Sequence, residues 1–256
     1  PSVGSVSQSI VGAQKDGLLS PQSSGILAGN MGTLVVAGAA GQAAQDIKAS
    51  EVMLFTMAID KSSSINQRGL EDAVREGQNH VVDALSDAKE ADSILAALWL
   101  FDHDQHVLHS YMPVKDATRL DRKNYRGMGN TSLYDTIGDA IAANVAYAHD
   151  LESGAFPTPT RSCLVVVTDG EDVGSQRYSP AKLKPVITDL LKSEKFIVAF
   201  VGVGSEADFR PIAEAMGFPD GCILVERDAT ASAMRKAFQM VSRSAKLVSQ
   251  GKIQPG

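Results

Sequence analysis

Three short polar segments of this chain hold side chains that could bind a metal ion. They span residues 60–64, 129–132 and 168–172, and they contain Asp, Glu, Ser and Thr. Carboxylate and hydroxyl oxygens are the ligands that hard divalent cations prefer, and Mg²⁺ commonly takes one or two carboxylates while it keeps several waters. These residue types therefore indicate a site for a hard divalent cation, provided that the fold brings the three segments together.

Five side chains in these segments are the candidate metal ligands. Asp60 and Asp169 offer carboxylates, whereas Ser62, Ser64 and Thr131 offer neutral hydroxyls. Alternate positions of a tight loop can point to one centre, and the neighbouring glycines allow a close approach of the backbone. Five such ligands leave one position of an octahedral ion open, which suits a carboxylate from outside the chain. The site would be electrophilic, but it has no positioned base.

The elements that position these segments are predicted from hydrophobic patterning. Continuous apolar runs, typical of strands buried on both faces, alternate with amphipathic helices. We expect a Rossmann-like α/β fold, doubly wound, with a mostly parallel six-stranded sheet, one antiparallel edge strand and helices on both faces. Ligands bind at the carboxyl ends of strands in such folds, so the three segments should meet there. The predicted strands span residues 51–59, 93–101, 107–112, 162–168, 196–203 and 222–225, and the predicted helices span residues 65–88, 131–149, 180–192, 209–216 and 231–249.

The order and spacing of the three segments resemble the metal-ion-dependent adhesion site (MIDAS) of von Willebrand factor A domains. Residues 60–64 have the family's Asp-x-Ser-x-Ser pattern, residues 129–137 (GNTSLYDTI) resemble its Gly-Gly-Thr-x-Leu-Tyr-Asp run, and residues 165–171 (VVVTDGE) resemble its second aspartate segment. Ser63 and Asn130 stand where glycine is common in the family, and neither is a candidate ligand.

The resemblance covers residues 51–248 and implies a von Willebrand factor A fold of the bacterial or phage intracellular type. It implies Mg²⁺ as the ion, with Mn²⁺ or Ca²⁺ as alternatives, and a protein partner that supplies an Asp or Glu side chain to the metal. It also implies that the last helix can be coupled to affinity. The metal ligands that it implies are Asp60, Ser62, Ser64, Thr131 and Asp169.

Composition limits the partners and the location. The net charge of −6 gives no global attraction to nucleic acid or to an anionic membrane. The first residues lack the basic and apolar regions of a secretory leader, so we expect a cytoplasmic protein, with a secreted mature form as the alternative. Cys163 and Cys222 are expected to be small core residues of buried strands. The oligomeric state stays open.

Three parts of the chain differ in composition. Residues 1–50 are rich in Ser, Gly and Ala, and we interpret them as an N-terminal extension that is partly flexible or helical. Residues 51–248 form the predicted von Willebrand factor A domain, and residues 249–256 a flexible C-terminal tail.

No catalytic motif accompanies the candidate metal site. The chain lacks a Gly-x-x-x-x-Gly-Lys-Ser/Thr loop and a Gly-x-Ser-x-Gly elbow, and we expect no histidine near the three segments to act as a base. We therefore expect a metal-dependent adaptor or assembly module rather than an enzyme. The alternatives are an accessory subunit of an ATP-driven chelatase-like machine and a Mg²⁺-dependent hydrolase. His103, His106 and His109 are expected to be solvated hairpin residues, with a second metal site as the alternative.

Overall fold

A six-stranded sheet lies at the centre of the computed structural model, which describes residues 1–204 and 207–251. The strand order is β3-β2-β1-β4-β5-β6, with β3 antiparallel to β2 and every other neighbouring pair parallel. The predicted α/β fold with one antiparallel edge strand is therefore confirmed. The strands are β1 (Val52–Asp60), β2 (Ile94–Phe101), β3 (Gln105–Pro113), β4 (Thr160–Thr168), β5 (Phe196–Val203) and β6 (Ile223–Glu226).

Helices cover both faces of this sheet and form a hydrophobic core on each. One core lies between the sheet and α1, α2, α3, α6, α7 and α8, and the other lies between the sheet and α5 and α9. Every residue of β1 and β2 is buried, as continuous apolar runs between two helical layers should be. The helices of the described residues are α1 (Val3–Lys15), α2 (Pro21–Ala28), α3 (Thr33–Gly38), α4 (Ser63–Gln67), α5 (Glu71–Ser86), α6 (Leu133–Ser153), α7 (Pro180–Lys192), α8 (Phe209–Met216) and α9 (Ala231–Ser249).

The continuous helix predicted over residues 65–88 is wrong, because the chain forms two helices there. Gly69 adopts a left-handed conformation with φ of 65°, and the Leu70 amide donates to the carbonyl of Ile65 at 2.9 Å. A glycine in this conformation ends a helix and turns the chain. The break leaves α4 as a short helix at the sheet edge, where it carries Ser64.

Residues 1–50, which the sequence predicted to be partly flexible or helical, contain α1, α2 and α3. Val6, Ile10, Leu27 and Val35 are buried in the same core as α6. The division of the chain at residue 51 stays a prediction. Of the predicted tail, residues 252–256 lie outside the described residues.

None of the helices in the described residues combines the length and the apolar character that crossing a membrane requires.

Candidate metal site

The ends of β1 and β4 bring the two candidate carboxylates to the same edge of the sheet. The strands are parallel neighbours with Ile59 opposite Val167, so Asp60 and Asp169 both emerge at their carboxyl ends. Asp60 is 1% exposed and Asp169 is fully buried. The sheet register thus places beside each other two acidic residues that are far apart in sequence.

The hydroxyl candidates reach this edge from two loops. Ser62 directly precedes α4 and Ser64 lies in its first turn, while Thr131 lies just before α6. The Ser62 and Ser64 hydroxyl oxygens are 2.9 Å apart, and Ser64 Oγ donates to Asp169 Oδ1 at 2.7 Å. A methyl group added to Gly170 would lie 3.4 Å from the Thr131 hydroxyl oxygen, so the third segment closely approaches the loop that carries Thr131.

These separations fit a small hard cation. Adjacent oxygens of an octahedral ion with metal–oxygen distances of about 2.0–2.1 Å are about 2.9 Å apart, so hydroxyl and carboxylate oxygens already lie at ligand spacing. The donor set is entirely oxygen, and two of its members are charged carboxylates. The structure therefore brings the five predicted residues together, and their role as metal ligands stays a prediction.

The electrostatics of Asp60 also suit a cation. Burial, followed by the negative charge of Asp169, raises the pKa of Asp60 to about 7, although hydrogen bonds from Thr168 and Ser62 oppose the rise. Thr168 Oγ1 donates to Asp60 Oδ2 at 2.6 Å, and the Ser62 amide donates to Asp60 Oδ1 at 2.7 Å. A divalent ion would relieve the repulsion between two buried carboxylates, because it stabilises both charged forms.

Arg68 is a part of the site that sequence analysis missed. Its Nη1 donates to Asp169 Oδ2 at 2.5 Å and to the Asp169 carbonyl at 3.0 Å, and the Arg68 side chain is 17% exposed. The residue directly follows α4, four positions after Ser64, where a helical turn returns to the same face. That spacing is the signal that could have identified it.

Three further residues hold the first segment in place. Tyr125 Oη donates to the Asp60 carbonyl at 2.6 Å, and the Lys61 ammonium pairs with Asp102 at 2.6 Å. The Met128 amide donates to the Lys61 carbonyl at 2.7 Å. Asp102 could have been expected here, because it follows β2, the parallel neighbour of β1; Tyr125 has no comparable local signal.

The expectation that no histidine lies near the three segments is wrong. The His103 ring lies against Gly129, where an added methyl group would come within 2.2 Å of His103 Nδ1. Gly129 has φ of +76°, a conformation that disfavours other residues. His103 lies two residues after the end of β2, so it reaches the same sheet edge as the three segments.

His103 also forms the one group of carboxylates and histidine in the described part of the chain whose ligand atoms could converge, together with Asp102 and Asp104. His106 and His109 do not belong to this group, and His109 is buried, with Nδ1 3.1 Å from the Ser110 carbonyl. The alternative of a second metal site built from three histidines is therefore not supported.

Two acidic residues after Asp169 have different surroundings. Glu171 is exposed. Asp172 accepts hydrogen bonds from the Tyr134 amide at 3.2 Å and from Ser175 Oγ at 2.5 Å. Asp172 thus stabilises the first turn of α6, at the helix end where negative charge is favourable.

Comparisons with known proteins address the fold. No family model matches the chain, and no curated protein matches it either. The pilus adhesin SpaC from Lactobacillus rhamnosus GG, in its open conformation, is similar over 78% of this chain and 30% of its own, at 12% identity and a TM-score of 0.54. Proximal thread matrix protein 1 from the mussel byssus, in a structure described as having a zinc-occupied MIDAS motif, is similar over 78% of this chain and 47% of its own, at 16% identity and a TM-score of 0.50.

Identities this low show a shared fold and no shared activity. The chain also spans less than half the length of each of these two proteins. Together with the strand order, the comparisons show that the protein has a von Willebrand factor A-like fold. One relative with this fold is described as binding a divalent metal, and another as an adhesin.

Proposed function

We propose that this protein is a metal-dependent binding module that captures an acidic side chain of a protein partner. The observation that carries the proposal is the convergence of five oxygen-bearing side chains on one sheet edge, with hydroxyl and carboxylate oxygens at ligand spacing. The description of the mussel protein as holding zinc in a MIDAS motif supports a divalent ion in this fold.

Each part of the site has a role in this proposal. The five ligands are Asp60, Ser62, Ser64, Thr131 and Asp169. A bound divalent ion, which we expect to be Mg²⁺, would supply a Lewis-acidic position for an external carboxylate. The buried carboxylates hold charge in a medium of low polarity, where a cation is strongly favoured. The glycines of residues 127–129 and 170 let the loops approach one another without a side chain between them.

We also propose that the protein is not an enzyme and acts in the cytoplasm, as expected from its sequence. The proposal rests on the catalytic motifs that the sequence lacks, although His103, with a ring 58% exposed and 3.3 Å from Asp102 and Asp104, lies at the same sheet edge. The net charge of −6 disfavours nucleic acid and anionic membranes as partners.

Calorimetric titration with Mg²⁺ tests the site itself. We expect saturable binding of one ion by the wild-type protein and loss of tight binding in Asp60→Ala. Asp139→Ala is the matched control, because it removes another buried carboxylate, which pairs with Arg177 at 2.6 Å instead of facing the site. Equal Mg²⁺ affinity in wild type and Asp60→Ala would refute the ligand assignment.

Affinity capture from the native extract then tests the binding function. A specific partner should be retained in Mg²⁺, released by EDTA and not captured by Asp60→Ala. Substitution of the partner's acidic residues by their amides should abolish capture. Retention in EDTA would contradict metal-dependent binding.

A further inference from the structure

Two strongly exposed apolar side chains lie on loops of the candidate metal site. Among the described residues, the three most exposed large apolar side chains are Val173 at 67%, Phe156 at 60% and Met128 at 57%. Val173 and Met128 both belong to loops that carry the predicted ligands, whereas Phe156 lies near the opposite end of β4. Single exposed apolar residues are common on protein surfaces, and Met128 and Val173 are distinguished by their place on the two loops that carry predicted ligands.

The loop that presents Met128 is fixed against the first polar segment. The Met128 amide donates to the Lys61 carbonyl at 2.7 Å, and the Ser63 amide donates to the Gly129 carbonyl at 2.9 Å. A methyl group added to Gly127 would come within 2.8 Å of the Ser62 carbonyl oxygen. The backbone on both sides of Met128 is thus held tightly, and its side chain is directed to the solvent.

Val173 is presented by a second loop in a similar way. The amides of Val173 and Gly174 donate to the Thr131 carbonyl at 3.0 and 2.9 Å. A methyl group added to Gly174 would come within 2.5 Å of Ser132 Oγ. Both apolar side chains therefore stand next to a glycine that is packed against a ligand-bearing loop.

We propose that Met128 and Val173 form an apolar rim of the metal site that selects partners whose acidic residue is flanked by apolar side chains. This inference rests on the proposed function, because the metal-bound acidic residue fixes the position of its neighbours.

Chain connectivity keeps both rim residues within reach of a short extended peptide. Three residues of chain hold the Cα atom of Met128 within about 11 Å of the Cα atom of Thr131, and Val173 is hydrogen-bonded to Thr131. An extended peptide rises about 3.3 Å per residue, so the residues next to a bound acid can reach both apolar side chains. Contact with them would remove apolar surface from water, which is favourable.

Fluorescence anisotropy with labelled, capped peptides tests the rim in the full chain. The probes are Gly-Leu-Asp-Leu-Gly, Gly-Ser-Asp-Ser-Gly and Gly-Leu-Asn-Leu-Gly, each measured with Mg²⁺ and with EDTA. We expect Mg²⁺-dependent binding of both Asp peptides, with the leucine peptide tighter by roughly tenfold to thirtyfold from the apolar area it covers. The asparagine peptide should not bind.

Substitution of the rim provides the decisive comparison. In the double variant Met128→Ser/Val173→Ser the preference for the leucine peptide should fall to within about twofold, while calorimetric Mg²⁺ affinity and binding of the serine peptide stay unchanged. Phe156→Ser is the matched control, since it removes an equally exposed apolar side chain away from the site, and it should keep the full preference. Circular dichroism checks that each variant folds.

The outcomes separate this inference from the proposed function. Mg²⁺-dependent binding of both Asp peptides without a preference, or a preference that survives in the double variant, overturns the rim and leaves acidic capture intact. Failure of both Asp peptides to bind in Mg²⁺ overturns acidic capture and the rim with it. Mg²⁺-dependent self-association that the double variant loses would replace the peptide partner with a second copy of this chain and overturn the inference.

Discussion

Replacement of Asp60 by asparagine should stabilise the metal-free protein at pH 8, although it removes a candidate metal ligand. Asp60 is 1% exposed, and burial together with Asp169 raises its pKa from 3.8 to about 7. Asparagine has nearly the same shape and no charge. Its amide oxygen can accept from the Ser62 amide, and its amide nitrogen can donate to Thr168 Oγ1.

The sign and size of the effect follow from the two pKa values. Between about pH 4 and pH 7 the folded metal-free protein holds a proton on Asp60 that the unfolded chain has lost, so stability falls as the pH rises. Above about pH 7 the folded state bears the full free-energy cost of a charged Asp60, and a pKa shift of about three units corresponds to about 4 kcal/mol. The asparagine variant lacks this cost, so its advantage should grow from near zero at pH 4 to a few kcal/mol at pH 8.

Urea unfolding in EDTA at pH 4 and pH 8, repeated at pH 8 with Mg²⁺, measures the effect. An ion at a hundred times its dissociation constant stabilises the folded state by about 2.7 kcal/mol, and only the wild type should gain this. Asp139→Asn is the control, and it should keep the Mg²⁺ response. A variant that is less stable than wild type at pH 8 in EDTA, or one that Mg²⁺ still stabilises, would refute the reasoning.

Two further changes test neighbouring contacts. Arg68→Gln removes a guanidinium that hydrogen-bonds Asp169, so it should destabilise the metal-free protein by roughly 1–3 kcal/mol and enlarge the rise in melting temperature on adding Mg²⁺. An unchanged rise in melting temperature would contradict this. Arg122→Gln, at a side chain 79% exposed, is the control. Burial raises the pKa of Asp189 on α7, but hydrogen bonds from Ser20 and Ser23 before and within α2 lower it to about 2. The ionised carboxylate should therefore contribute about 2 kcal/mol to the free energy of unfolding above pH 4, and this contribution is lost as the pH falls through 2. Urea unfolding of wild type and Asp189→Asn should therefore differ at pH 6 and converge near pH 2, and a constant difference would contradict the assignment.

Hydrophobic patterning and residue types in the sequence are enough to predict the strands and the oxygen-rich character of the candidate site. Buried strands are continuous apolar runs, and parallel strands present their carboxyl ends at one edge, so Asp60 and Asp169 could be assigned to that edge from local patterns. The bounds predicted for α7, β5, α8 and α9 agree with the structure, since the helices are amphipathic segments and β5 is an apolar run, each with clear ends.

The surroundings of these candidate ligands depend on contacts between distant parts of the chain. Arg68 pairs with a residue 101 positions away, and Tyr125 donates to one 65 positions away. The i, i+4 spacing after Ser64 indicates which helix face Arg68 occupies, but its contact with Asp169 and the Tyr125 contact depend on how α4 and the loop before α6 pack on the sheet. The packing of α1, α2 and α3 also depends on distant contacts. A methyl group added to Gly38 would meet the Trp99 ring at 2.2 Å, so only glycine fits there, and the sequence around Gly38 does not indicate this constraint. Local periodicity fixes the elements, whereas close packing between distant elements fixes the charge and shape of the site.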